Sequence, residues 1–147
     1  MKTFIRESGD FIVSDSKAFY EKAAAFYSKH FCTTRFQEVM TVFGFNTRKG
    51  IIWVNVVAMG SLDEAVVKPA QIFRTAIING TARIGLVHNH PSGNTMPSEE
   101  DKSLTDVFVQ ASKFLGIAVL DHLVIGTNTK KPSGEYYSFS DAGILKQ

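Results

Sequence analysis

The chain has 147 residues, 44% hydrophobic and 20% charged, enough for one globular domain with a substantial core. Its net charge of +2 is spread over scattered basic residues, so no concentrated basic face stands out, and a nucleic-acid partner is neither required nor excluded. Cys32 is the only cysteine, which excludes an internal disulfide framework and a four-thiolate metal site and fits a reducing compartment.

The opening MKTFIRESGDF has no sustained apolar segment, so neither a signal peptide nor a membrane span is expected, and the cytoplasm is the expected location. Asp15 or Ser16 can cap a helix running to about His30, with Phe19, Ala23, Phe26 and Tyr27 recurring on one side. Cys32 reads as a small buried residue. From Phe36 to Phe45 and from Ile51 to Met59, apolar β-formers flank the polar turn 46–50, predicting a hairpin. Pro69 opens a helix to about Ile78, which stops at Asn79 and Gly80.

The run ARIGLVH follows, bounded by Gly80 and Pro91, and reads as a strand ending at two histidines. Ser98 starts a helix with Leu104, Val107, Phe108, Ala111, Phe114 and Leu115 as its apolar stripe and Gly116 as its stop. IAVLDHLVI predicts a central strand. After the loop GTNTKKPSGE, YYSFS predicts an edge strand. Lys130 and Lys131 fall in that loop and read as solvated surface. Strands interspersed with helices predict an α/β fold, a mixed sheet with helices packed on it.

The chemistry concentrates in HNHPSGNTMPSEED. Side chains alternate along a strand, so His88 and His90 project to one face and Asn89 to the other. Two imidazoles supply half of a tetrahedral zinc shell. Asp101, in the first turn of the next helix, can fold back as a third ligand. Two nitrogens and one carboxylate leave a position for water, as catalytic rather than structural zinc sites do. Ligand type favours one zinc ion per chain over iron or manganese.

Each residue also has a plainer reading. A single histidine is more often a hydrogen-bonded core residue than a ligand. Ser98 and Asp101 have the spacing of a capping box that serves only the helix N-terminus. His122 and Asp121 alternate on their strand, so only one can face the site, and a structural hydrogen bond is the expected role for either. Asn89 is expected to brace the loop, and Ser92 and Gly93 to shape the turn after Pro91.

The HxH pair, then Ser98 and Asp101, resembles the motif of the JAB/MPN (JAMM) metalloenzymes. HNHPSG, PSEED, LT and LDHLVIG are similar, more narrowly, to the RadC branch of that superfamily, over nearly the whole chain. The resemblance implies a single JAB/MPN-like (cytidine-deaminase-like) domain over 1–147, with 1–11 as an N-terminal extension and no helix-hairpin-helix segment. It also implies a glutamate near the metal, matched by Glu38 in FQEVMTVF. Glu38 is the only acid in an otherwise apolar strand pattern, where partial desolvation suits a general base. By periodicity alone it reads equally as a solvated residue at a sheet edge.

The implied activity is zinc-dependent hydrolysis of an amide or isopeptide-like bond, as in a metallopeptidase. Glu38 would move the proton, Ser98 would donate to the oxyanion, and His88, His90 and Asp101 would hold the metal. The substrate would be a peptide, protein or other amide, with no membrane partner. Two other classes stay open at this point: a DNA-repair or nucleic-acid-associated factor, and a non-catalytic interaction domain. The letters HNH do not indicate a His-Asn-His nuclease, whose residues are dispersed. A zinc deaminase would need a Pro-Cys-x-x-Cys element that one cysteine cannot build.

Overall fold

A computed structural model of the chain describes residues 3–31, 37–60, 62, 66–127 and 135–145. Cys32, Phe36, Lys130 and Lys131, each singled out in the sequence, lie outside them. The elements in order are β1 (Phe4–Arg6), α1 (Ser16–His30), β2 (Val39–Phe45), β3 (Ile51–Met59), α2 (Pro69–Ile78), β4 (Arg83–His90), α3 (Glu99–Leu115), β5 (Ala118–Gly126) and β6 (Tyr136–Ser138).

Local chemistry explains most of these boundaries. Asp15 caps α1 by accepting from the Ala18 amide at 2.8 Å. Pro69 begins α2, where its missing N–H costs nothing. Gly116 ends α3 in the left-handed region at φ 70°. The β2–β3 turn is held by Asn46, whose side-chain oxygen accepts from Arg48 N and Gly50 N.

The strands form one mixed sheet in the order β1-β3-β2-β4-β5-β6. Every neighbouring pair is antiparallel except β4 and β5, which α3 connects in parallel. α1 covers one face, packing Phe19 edge-on against Phe43 and Phe45. α2 and α3 cover the other, meeting through Phe73 and Phe108 over Met40, Ile84, Leu86 and Val119. The α/β mixed-sheet architecture read from the sequence is therefore the observed one. Among the described residues, no helix is long and apolar enough to cross a membrane.

Three details depart from the sequence reading. Phe4–Arg6 adds an edge strand against β3, where no strand was expected. The strand expected to contain Glu38 begins one residue after it, at Val39. The buried face of α3 is Leu104, Thr105, Phe108, Val109 and Ser112, while Phe114 is 92% exposed. Nine residues at about 100° each put Phe114 on the side of the helix opposite Thr105. Apolarity alone rotated the predicted stripe away from the true one, because Thr105 and Ser112 are buried polar residues.

Candidate metal centre

On β4, strand parity carries Ile84, Leu86, His88 and His90 to the α2/α3 face, and Val87 to the α1 face. The two histidines stand at the C-terminal end of β4, beside the first turn of α3. A tight turn follows, in which the Gly93 amide donates to the His90 carbonyl at 3.0 Å. Gly93 sits at φ 86°, a conformation other residues adopt only under strain. The turn returns the Asn94 carbonyl to His90 Nδ1 at 2.7 Å.

The α3 N-terminus is a complete capping box. Ser98 Oγ accepts from the Asp101 amide at 3.0 Å, and Asp101 Oδ2 accepts from the Ser98 amide at 2.8 Å. The cap and ligand readings of Asp101 are therefore compatible. The same carboxylate lies 3.2 Å from His88 Nε2 through Oδ1 and 3.1 Å from His90 Nε2 through Oδ2. The two Nε2 atoms are 3.1 Å apart. His88, His90 and Asp101 thus form a group able to hold a metal ion.

The hydrogen bonds around the two imidazoles fix where their protons sit. Asn94 offers a carbonyl, which only accepts, so His90 carries its proton on Nδ1 and leaves Nε2 bare. Thr105 Oγ1 donates its one proton to the Asp101 carbonyl at 2.8 Å. It must therefore accept from His122 Nδ1, 2.6 Å away. His122 Nε2 is then bare and accepts from His88 Nδ1 at 2.8 Å, which leaves His88 Nε2 bare as well. Two imidazole lone pairs and a carboxylate face one another with no proton assigned between them. Such a set calls for a cation. Separations of 3.1–3.2 Å also approach the roughly 3.3 Å edge of a tetrahedron built with bonds of about 2.0 Å.

The electrostatics agree. Burial opposes ionisation of Asp101, but the two imidazoles beside it, in their protonated forms, together with the Ser98 amide, hold its carboxyl far below the usual carboxylate range. The hydrogen bond to Asp101 raises His90 against the effect of burial, helped by the Asn94 carbonyl and by the charges of Asp101 and Glu38. A proton and a metal ion thus compete for the same pair. His122, fully buried and beside His88, is pushed well below its ordinary value and stays neutral.

Glu38 is half-buried just before β2, close enough for its charge to act on His90. Its position depends on Asn89, on the opposite face of β4. Asn89 Oδ1 accepts from Val39 N at 2.7 Å, and Nδ2 donates to Gln37 O at 2.9 Å. The residues on either side of Glu38 are therefore pinned by one amide, whose orientation is dictated by one donor and one acceptor. Nδ2 also donates to Thr127 Oγ1 at 2.7 Å. Ser98 is exposed at the rim.

His122 makes the structural hydrogen bond expected of it, to His88, and Thr105, to which the sequence gives no role, bonds His122 in turn. Strict alternation along β5 would put Val119 and His122 on opposite faces. A register shift instead pairs Ile84 with Val119 and Gly85 with Asp121, leaving Leu120 out of the pairing. The bulge turns His122 toward His88. Asp121 faces away and accepts from Ser138 Oγ, Ser140 N and His122 N; burial raises its carboxyl despite these donors. The only sequence signal for Thr105 was a polar residue inside an apolar helical stripe.

Residues 16–144 match the model of the RadC-like JAB domain. UPF0758 proteins of Methanococcoides burtonii and Protochlamydia amoebophila are each 38% identical over 109 residues, covering 74% of this chain and 45% of the relative. The UPF0758 protein of Symbiobacterium thermophilum is 41% identical over 108 residues, covering 74% and 44%. The matched region thus spans less than half the length of these relatives. With the fold, the His-His-Asp group and a match over most of its length, the chain belongs to the RadC-like JAB domain family, within the JAB/MPN superfamily.

Proposed function

We propose that this domain is a zinc-dependent hydrolase of amide or isopeptide-like bonds in a peptide or protein substrate. The observation that carries the reading is the convergence of two bare Nε2 atoms and one carboxylate, with both Nδ1 atoms committed elsewhere. His88, His90 and Asp101 would hold the ion, and three protein ligands leave room for water or substrate. When bound, zinc polarises a carbonyl and makes water more acidic.

The remaining work belongs to the chain. Glu38, close enough to influence His90, takes a proton from the attacking water and returns it to the leaving nitrogen. Ser98 Oγ is engaged as an acceptor by the Asp101 amide, so its O–H is free to donate to the oxyanion. Such a donor is worth about 3 kcal/mol in the transition state.

Elemental analysis and turnover of a panel of peptide and isopeptide substrates test the reading together. One zinc per chain is expected in the wild type and none in His90→Ala. Glu38→Gln is expected to retain zinc and lose turnover. Full zinc in His90→Ala removes the ligand assignment, and a wild-type rate in Glu38→Gln removes the base.

A further inference from the structure

We propose that Thr105 and His122 are positioning residues that lock His88 in the one tautomer able to bind a metal ion. The proposal deepens the metal-site reading and rests on it. The Asp101 carbonyl can only accept, so Thr105 must donate to it and accept from His122 Nδ1. His122 must then accept from His88 Nδ1. Each proton position follows from the one before it, and the last leaves His88 Nε2 bare.

Burial removes the alternatives. Thr105 is 2% exposed, His122 0% and His88 1%, so solvent is not at hand to replace a lost partner. The His122 ring is stacked on Phe139, with centroids 4.6 Å apart and planes within 14°, which opposes ring reorientation. The relay also closes on itself. It starts at the backbone of one ligand residue, Asp101, and ends on the ring of another, His88. One chain of bonds therefore sets both the first turn of α3 and the imidazole on β4.

The acceptor for His88 is also distinctive. Metal-bound histidines commonly donate their second nitrogen to a carboxylate or carbonyl. Here the acceptor is a neutral imidazole, whose own proton position depends on a hydroxyl. Removing that hydroxyl should reverse the relay. In Thr105→Val, the His122 proton leaves Nδ1, now without an acceptor, for Nε2. It then points at His88 Nδ1, and the His88 proton moves to Nε2, where it blocks the metal.

Nitrogen-15 NMR of the histidine-labelled full chain, metal-free and above the pH at which its imidazoles are protonated, reads these tautomers directly. A zinc titration against a competing chelator reads affinity. In the wild type, His88 and His122 should both carry hydrogen on Nδ1. Thr105→Val should show His88 protonated on Nε2 and zinc affinity reduced about ten- to a hundredfold, whereas Thr105→Ser should retain the wild-type pattern. His122→Gln, able to place an amide oxygen toward His88, should keep hydrogen on His88 Nδ1 and provides a second reading if Thr105→Val does not fold. Hydrogen on His88 Nε2 in the wild type, or unchanged tautomers and affinity in Thr105→Val, overturns the proposal. A wild type with the expected tautomers but no zinc binding would instead overturn the metal reading and leave the relay standing.

Discussion

Asn89→Ala tests whether one amide on the far face of β4 holds the Glu38 segment. Asn89 is 2% exposed and makes three hydrogen bonds, to Val39 N, Gln37 O and Thr127 Oγ1. Alanine strands the amide of Val39, which is 0% exposed, at about 1–3 kcal/mol. Gln37 is exposed, so its carbonyl regains water cheaply. The lost bond to Thr127 adds about 1 kcal/mol. The sum is about 2–4 kcal/mol, or roughly 10 °C in melting temperature for a chain of this size. A domain stable by about 5–15 kcal/mol survives that loss. Urea denaturation measures the stability, and turnover at full zinc occupancy measures the functional effect. Because Asn89 borders Glu38 and not the ligand nitrogens, kcat should fall while zinc stoichiometry holds. Stability within about 0.5 kcal/mol of wild type, or loss of zinc with kcat per bound zinc intact, contradicts this role for Asn89.

Three other outcomes are expected. Ser98→Ala should lose about 1 kcal/mol of stability as a cap and a further ~100-fold in kcat as an oxyanion donor; the first loss without the second makes Ser98 a cap alone. Gly44→Ala puts a Cβ 2.1 Å from the buried Trp53 ring, which is tied to Thr81 and stacked on Phe4, so it should cost about 3 kcal/mol by overpacking; an unchanged tryptophan-fluorescence melt contradicts that packing. His90 is raised and Asp101 lowered by their contact. In the metal-free protein, the Asp101 contribution is present above its unfolded value of about 3.9 and lost as pH falls through the folded one. The His90 contribution is present below about 6.5 and lost as pH rises through the folded value. The stability advantage of metal-free wild type over His90→Ala should therefore peak between those limits, while zinc affinity climbs as pH rises past His90's raised value. Thermal melts with and without chelator read both, and an advantage that grows above neutrality contradicts the assigned pair.

What short-range chemistry controls is legible in the order of the amino acids. Asp15, Pro69, Ser98 and Gly116 mark helix ends through caps and turn preferences, and the HxH spacing puts two histidines on one face because the strand period is two residues. Glu38 is different: periodicity fits a sheet-edge residue equally well, and only the family motif singles it out. Tertiary structure decided the partners far apart along the chain. His122 reaches His88 because a bulge opposite Ile84 and Gly85 changes the phase of β5, and a bulge depends on pairing with a second strand. Asn89 grips the residues flanking Glu38 from 50 and 52 positions away. Thr105 faces inward although an apolar stripe would turn α3 otherwise, because its hydroxyl is satisfied by Asp101 and His122. Burying a polar group is tolerable only when its partners arrive, and those partners come together only in the folded sheet.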